Sequence, residues 1–345
     1  DFCLSRGLGD VYKRQGLWIP NNRFAREEGI GDSREDALLY VRRLVNHRGL
    51  DPLIERYLDE CNPMLEFLEA EAGIGFQGSG GHPDYQPWLP GARSEGRSVN
   101  QGLYDTNRLG DLKPRLRHGW ASKPITIAER AMGRSLLDVP LQERAERGLI
   151  GLGTALVGFL LEACAARGVG LLPGRRAVEL VRPRDRVEGV IVETEAGRQA
   201  VAARRGVILA CGGFEWNPAL VDRFLGVPMT APASPGHNTG DGLLMAMRAG
   251  ASIATMTEAW WNMMYAIPGD LYEGHQLHRP TSDVRGLPGM IAVNRKGRRF
   301  VNEAMNYHDL GKSMFRFDPV AYEYPNSPAY IVFDAEFRAR HPVAF

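Results

Sequence analysis

The chain has 345 residues, of which 44% are hydrophobic and 24% are charged. This composition excludes disordered, collagen-like and coiled-coil proteins, and the length indicates about two domains with room for a hydrophobic core. The 42 basic and 41 acidic residues give a net charge of +1, so no global field is available to bind nucleic acid or an anionic membrane.

Residues 1–15 show neither helical nor strand periodicity, and the chain begins with Asp1 rather than Met. The end of this segment, DVYKRQ, resembles a translated adapter sequence. We therefore interpret residues 1–15 as an artefactual leader and leave them out of the fold prediction. We also expect the sequence to be a fragment of a longer protein.

In residues 32–73 the apolar side chains recur at helical spacing, which predicts two or three helices. Asp32 or Ser33 is the predicted N-cap of the first helix. Residues 73–123 are rich in Gly and Pro and lose this periodicity. We expect a long ordered loop there, and loops of that length are often functional.

An apolar helix and a run of strands are predicted next. Residues 148–167 indicate a buried helix, because their apolar stretch contains several glycines and a Glu and is too short to span a membrane. Residues 175–181, 186–194 and 198–210 predict a hairpin that leads into a final apolar strand. The run GVILACGG, at 206–213, is typical of a strand buried on both faces of a parallel sheet, and ligands collect at the carboxyl ends of such strands.

The second half of the chain changes in composition. Residues 238–251 predict a helix after Gly-Asp-Gly, whereas residues 256–280 are rich in aromatic residues and Met and look irregular. We therefore predict one domain at 16–257 and the start of a second at 258–345. The second domain is expected to contain two short strands, a turn and helices.

The four cysteines lie far apart, with no CxxC pair, no metal-ligand spacing and no secretory signal ahead of them. We therefore predict a cytoplasmic protein without a metal site. His275 and His278 have the spacing of a metal pair, but no Cys or carboxylate cluster accompanies them.

Two glycine motifs, GVILACGGFEWN and NTGDG, lie about 25 residues apart. Each places glycines and a carboxylate where a backbone can approach a flat or charged ligand. The alternative is turn and cap chemistry, in which Asp241 only caps the following helix. For each motif alone, the two interpretations are equally supported.

Together with three other segments, these motifs resemble the FAD-dependent fumarate reductase/succinate dehydrogenase flavoprotein superfamily, and within it the 3-ketosteroid dehydrogenase-like branch. The other segments are GLWIPNN from Gly16, PDYQPWLPGARSEGRSV from Pro83 and NRKGRRFVNE from Asn294. The resemblance implies an α/β fold, with an incomplete Rossmann-like FAD-binding domain and an inserted α+β substrate-capping domain.

The resemblance implies FAD as the cofactor, with Asp241 near the flavin. The residues implied on the adenine side are Val178, Ala210, Gly212 and Gly213, and Gly16 follows the flavin-side glycines. The family's first βαβ unit and its C-terminal flavin segment have no counterpart in this sequence. We therefore expect the chain by itself to hold FAD weakly and to be inactive.

The resemblance also implies a catalytic tyrosine. In fumarate reductases an arginine that protonates the product follows the Asn-Glu motif, whereas Asn302 and Glu303 are followed here by AMNYHD. Tyr307 stands where that arginine is expected, which favours the ketosteroid-type reaction, in which a tyrosine removes a proton. Tyrosine titrates near about 10, so it needs a second hydroxyl or a positive field to act as a base. By the same resemblance, Tyr85 is that hydroxyl.

The favoured function, for the intact parent protein, is FAD-dependent desaturation of a 3-oxosteroid or similar cyclic ketone, with an unidentified electron acceptor. Two alternatives stay open. One is reduction of a fumarate-like dicarboxylate, for which Arg285, Arg298 and Arg299 are available, although the last two also fit a structural turn. The other is a non-catalytic fragment. The aromatic and Met-rich segment at 258–268 favours a bulky apolar substrate or forms part of the core.

Overall fold

The computed structural model describes residues 16–45, 50–119, 122–131, 139–281 and 285–341. These residues divide into two compact units, the first ending at Leu171 and the second beginning at Leu172. The division follows contacts within the chain, and the domain boundary near residue 257 stays a prediction. The interpretation of residues 1–15 lies outside the described residues.

The first unit contains the helices predicted for residues 32–73. Helix α1, which was not predicted, spans Arg23–Glu27, and the predicted region contains α2, Arg34–Leu44, and α3, Asp51–Ala72. Ser33 caps α2, because its hydroxyl accepts a hydrogen bond from the backbone amide of Asp36 at 3.0 Å. Helix α3 ends at Gly73, whose φ of +61° is a conformation that glycine adopts without steric cost.

Short strands and helices complete the first unit. Strands β1 (Leu17–Trp18), β3 (Ser98–Gln101) and β2 (Phe76–Gly78) form an antiparallel sheet in that order, and β4 (Tyr104–Asp105) pairs with β5 (Leu149–Ile150). Two 3-10 turns, separated by a kink at Gly110, lie within Thr106–Arg115. Helix α4 spans Ile127–Ala131 and α5 spans Leu141–Glu146. The segment at 73–123, predicted as a loop, therefore contains three short strands and two 3-10 turns.

The buried helix predicted for residues 148–167 is present as α6, Leu152–Ala166. The ring of Phe159 meets the buried ring of Tyr104 edge to face, with centroids 4.7 Å apart. A Cβ on Gly158 would lie 2.5 Å from Tyr104 Cδ1, so the close packing of α6 against β4 requires glycine there. Among the described residues, no helix is long and apolar enough to cross a membrane.

The second unit consists of antiparallel strand pairs and short helices. Its strands are β6 (Arg176–Val181), β7 (Gly189–Thr194), β8 (Gly197–Ala202), β9 (Met264–Tyr272), β10 (His275–Pro280), β11 (Met290–Val293) and β12 (Tyr330–Phe333), paired as β6-β7-β8, β9-β10 and β11-β12. Its helices are α7 (Pro218–Phe224), α8 (Asp241–Arg248), α9 (Tyr307–Ser313) and α10 (Ala335–Arg340). The hairpin formed by β6 and β7 and the helix after Gly-Asp-Gly are confirmed, whereas the irregular segment predicted at 256–280 is wrong, because it contains the β9-β10 hairpin.

The buried parallel strand predicted at 206–213 is also wrong. Strand β8 ends at Ala202, and within the described residues no strand pairs with the segment that follows. Ile208 is 81% exposed. A strand needs a neighbour for its backbone N–H and C=O groups, and every described strand pair is antiparallel. Among the described residues the apolar run has no such neighbour, and it forms no strand.

Candidate functional site

Tyr85 lies in a closed loop of the first unit, residues 84–93. The amide of Asp84 donates to the carbonyl of Arg93 at 2.9 Å, and the amide of Arg93 donates to the carboxylate of Asp84 at 2.8 Å. Tyr85 is 48% exposed and Trp88 is 67% exposed. The 84–93 loop therefore presents two aromatic side chains from a hydrogen-bonded base.

The base of this loop rests on three buried charged residues, Arg97, Asp32 and Asp84, which we call the Arg97 cluster. The guanidinium of Arg97 donates to the Asp32 carboxylate at 2.6 and 3.0 Å and to the Asp84 carboxylate at 2.8 Å. The side chains of the cluster are at most 4% exposed. Burial alone raises the pKa of Asp32, but hydrogen bonds from Arg97 and from the Asn21 amide outweigh burial and hold that pKa below its usual range.

Sequence reasoning missed the Arg97 cluster. Asp32 was a predicted N-cap candidate, but Ser33 takes that role and Asp32 instead accepts from Arg97, 65 positions away. One signal in the sequence could have identified Asp84. It lies directly before Tyr85, in a loop that was expected to be functional.

Tyr307 is the first residue of α9, and its side chain is half-buried. Asn306 caps this helix: its side-chain oxygen accepts from the amides of His308 at 3.1 Å and Asp309 at 3.0 Å. The cap fixes the backbone direction at Tyr307. The structure therefore holds the predicted catalytic tyrosine at a capped helix start.

Two of the arginines considered for a dicarboxylate clamp are bonded within the second unit. Arg285 donates to the backbone carbonyls of Glu303 at 2.9 Å and of Met305. Arg299 forms a hydrogen-bonded ion pair with the buried carboxylate of Glu303 at 2.5 Å, and the Ala292 amide donates to the same carboxylate at 2.8 Å. Burial raises the pKa of Glu303, but these hydrogen bonds together hold it below its usual range.

The two glycine motifs of the second unit lie side by side. The amide of Gly240 donates to the carbonyl of Gly213 at 3.0 Å. Gly212 has a φ of +80°, and a Cβ there would lie 2.5 Å from Oδ1 of Asn238. The chain's own packing therefore accounts for glycine at position 212.

Asp241 is the first residue of α8, and it does not cap that helix, whose N-cap is Gly240. Its carboxylate accepts two hydrogen bonds from Arg176 of β6, at 2.7 and 2.9 Å, and one from the Thr239 hydroxyl at 3.0 Å. The bonds from Arg176, aided by Thr239, lower the pKa of Asp241 although partial burial opposes them. Asp241 is therefore an ionised link between α8 and β6.

The residues implied on the adenine side are all in the second unit. Val178 lies on β6, which packs against α8, while Ala210, Gly212 and Gly213 lie in the unpaired segment after β8. Val178 is half-buried, and Ala210 and Gly212 are exposed. None of the four carries a charged side chain, so their contacts with FAD would come from backbone groups and apolar surface. Gly16 lies in the first unit, directly before β1.

Comparison with known proteins gives the family. The model of the FAD binding domain family matches residues 14–341. The chain belongs to this family. It is 36% identical over 337 residues to 4-oxocyclohexanecarboxylate 2-dehydrogenase of Sinomonas cyclohexanicum, covering 95% of this chain and 58% of that protein. It is 30% identical to 3-oxosteroid 1-dehydrogenase of Mycobacterium tuberculosis, covering 94% of this chain and 62% of that protein.

Two solved structures are also similar to this chain. The crystal structure of 3-ketosteroid delta1-dehydrogenase from Sterolibacterium denitrificans, in complex with 1,4-androstadiene-3,17-dione, matches with a TM-score of 0.83 and 31% identity, over 98% of this chain and 64% of that one. The open conformation of a flavocytochrome c3 fumarate reductase matches with a TM-score of 0.61 at 17% identity, which shows a shared fold alone. The chain spans about three fifths of the length of the curated relatives it matches.

The α/β FAD-binding fold and FAD as the cofactor, both predicted from the sequence, are confirmed by this family membership. The resemblance to 3-ketosteroid dehydrogenases is confirmed by relatives of 30% and 31% identity, and the likeness to a fumarate reductase extends to the shared fold. The roles of Tyr307, Tyr85 and Asp241 stay predictions, as do the adenine-side contacts and the cytoplasmic location.

Proposed function

We propose that the whole protein is an FAD-dependent dehydrogenase that desaturates a ring ketone beside its carbonyl. The observation that carries this proposal is the similarity, over nearly the whole chain, to proteins named as dehydrogenases of an oxocyclohexane and of an oxosteroid. The chemistry common to these names is a ketone within a carbon ring.

Desaturation removes a proton from the carbon α to the carbonyl and a hydride from the neighbouring carbon, and it leaves a conjugated C=C bond. FAD, when bound, supplies the acceptor for the hydride. We assign proton removal to the hydroxyl oxygen of Tyr307, whose backbone the Asn306 cap orients. Tyr85 takes the role of the second hydroxyl, as the family resemblance implies.

Exposed aromatic side chains support an apolar substrate. In the segment at 258–268, Trp261 and Met263 belong to the core, since they are only 6% and 4% exposed, whereas Trp260 is 53% exposed. The half-exposed ring of Tyr85 and the exposed ring of Trp88 also offer apolar surface to a carbon ring.

Fumarate-like reduction is the weaker alternative. A dicarboxylate needs cationic partners for both of its ends. Arg285 is bonded to backbone carbonyls and Arg299 to the buried Glu303. By the family resemblance, Tyr307 also stands where the fumarate reductase pattern has its arginine.

Product analysis tests the proposal. The FAD-loaded protein is incubated with 4-oxocyclohexanecarboxylate, a 3-oxosteroid or succinate, together with an artificial electron acceptor, and the products are identified by mass spectrometry. We expect a ring ketone that has lost two hydrogen atoms and has gained a conjugated double bond. Conversion of the dicarboxylate alone would support the fumarate alternative, and no conversion of any compound would support a non-catalytic protein.

A further inference from the structure

Asp84, the residue before Tyr85, is held by three different donors. In addition to the bond from Arg97, its carboxylate accepts from the indole nitrogen of Trp18 at 2.7 Å and from the Arg93 amide at 2.8 Å. The Asp84 side chain is only 1% exposed. The carboxylate is therefore fully bonded and has a single well-defined orientation.

The residue after Tyr85 is fixed as well. The hydroxyl of Tyr40, a buried residue of α2, donates to the side-chain oxygen of Gln86 at 3.0 Å and accepts from the Gln86 amide at 3.2 Å. Further along the loop, a Cβ on Gly91 would lie 2.2 Å from the carbonyl oxygen of Asp36, so the loop backbone lies directly against α2. Tyr85 thus stands, half exposed, between two residues that buried groups hold in place.

We propose that Asp84, held by Arg97, which is itself bonded to Asp32, is a positioning residue for Tyr85, which it keeps in place for the reaction of a ring ketone. This inference rests on the proposed function. Burying three ionised groups is costly, and apolar residues of similar volume often stabilise a fold equally well. The Arg97 cluster instead fixes orientation, because the planar guanidinium of Arg97 holds both carboxylates in place relative to each other.

A double-mutant cycle tests this role. Asp84→Asn keeps the size of the side chain but removes its charge, and Tyr85→Phe removes the hydroxyl that is to be positioned. In the FAD-loaded full-length protein, we expect Asp84→Asn to lower kcat for a ring ketone by about 10-fold or more, with a smaller change in KM. In the Tyr85→Phe background the same substitution should lower kcat by less than about twofold, because its target is already absent.

Glu129→Gln is the matched control. It breaks another ion pair of the first unit, Glu129 with Arg144, whose side chains are 21% and 19% exposed. At a temperature where every variant is folded, Glu129→Gln should leave kcat unchanged in both backgrounds. A general loss of stability in the first unit would lower kcat for this variant too.

A second variant perturbs the residue after Tyr85 and leaves all the charged residues unchanged. Tyr40→Phe removes only the hydroxyl that binds Gln86. It should lower kcat several-fold in the wild-type background and have little effect when Tyr85 is already Phe. This variant keeps the inference testable if Asp84→Asn does not fold.

The rate of amide hydrogen exchange in residues 84–93 is measured for the same variants in the absence of substrate. Asp84→Asn or Tyr40→Phe should speed exchange in this loop, and Glu129→Gln should not. Unchanged exchange, or kcat effects that simply multiply with that of Tyr85→Phe, would overturn the positioning role. If the wild-type protein oxidises no ring ketone, the proposed function fails, while the exchange result still decides whether the cluster fixes the loop.

Discussion

At the residue scale, Tyr307 has a defined position in the fold. It begins α9 directly after Asn306, whose side chain accepts from two amides of the first turn. A capped helix start restricts the backbone and so limits the directions in which the tyrosine ring points. A base that removes a carbon-bound proton depends on this kind of fixed geometry.

Replacement of Tyr307 by Phe removes the proposed base and keeps the ring. We expect kcat for a ring ketone to fall by about 100-fold or more, because general-base catalysis contributes about that much. Flavin content and melting temperature should stay unchanged. The measurement is steady-state turnover of the FAD-loaded protein.

Tyr330→Phe is the control for this substitution, since Tyr330 lies on β12 of the same unit and is 56% exposed. It should turn over like the wild type. If Tyr307→Phe keeps full activity, the base is another residue.

Residue roles could be predicted from the sequence only where a motif carried them. Tyr307 and Tyr85 were named because each stands in a segment that resembles the family. Arg97 and Arg176 were not, since Asp32 lies 65 positions from Arg97, Asp84 lies 13 positions from it, and Asp241 lies 65 positions from Arg176. Ion pairs of this kind depend on how the chain folds back, and a local pattern contains no such information.

At the element scale, an ion pair joins α4 to α5. Arg144 of α5 lies 2.7 Å from the carboxylate of Glu129 in α4, and both side chains are about one fifth exposed. The hydrogen bond from Arg144 lowers the pKa of Glu129 from 4.5 to about 2, aided by the Thr126 amide and opposed by burial. Because the folded-state pKa lies below the ordinary value, the pair stabilises the fold above about pH 5 and loses its effect as the pH falls toward about 2.

Glu129→Gln should therefore lower the free energy of unfolding by about 2 kcal/mol near neutral pH. A pKa shift of this size is worth at most about 3 kcal/mol, and solvent screening reduces it. The difference from the wild type should shrink toward zero at about pH 2. Urea unfolding at a series of pH values measures it.

Glu143→Gln is a suitable comparison for this measurement. Glu143 lies on α5, 3.5 Å from Arg147, and both side chains are more than 60% exposed. Its replacement should change the free energy of unfolding by less than about 0.5 kcal/mol. Equal effects of the two substitutions at neutral pH would contradict the role assigned to Glu129.

Helices were predicted better than strands, for a physical reason. Helix α2 follows from its Ser33 cap and apolar spacing, α3 from apolar spacing and Gly73 at its end, and α6 from a continuous apolar run. A strand depends on a neighbour, and the run at 206–213 has none among the described residues. The β9-β10 hairpin was missed because its two-residue turn is Glu273-Gly274, with φ values of 52° and 80°, rather than the usual Asn-Gly or Asp-Gly.

At the scale of the whole molecule, the chain consists of two units and belongs to the FAD binding domain family along nearly all of its length. The sequence motifs were sufficient to predict the fold class and the cofactor. The sequence predicted the β6-β7 hairpin but also a parallel strand at 206–213, whereas all described strand pairs are antiparallel. The chain covers about three fifths of its curated relatives, so activity has to be measured on the whole protein.

The most direct measurement is anaerobic mixing of the FAD-loaded protein with 4-oxocyclohexanecarboxylate or a 3-oxosteroid while the visible flavin absorbance is followed. A ring-ketone dehydrogenase should lose this absorbance as hydride reaches the flavin, and succinate at the same concentration should leave it unchanged. Bleaching by succinate alone, or a spectrum that no ring ketone changes, would contradict the proposed function.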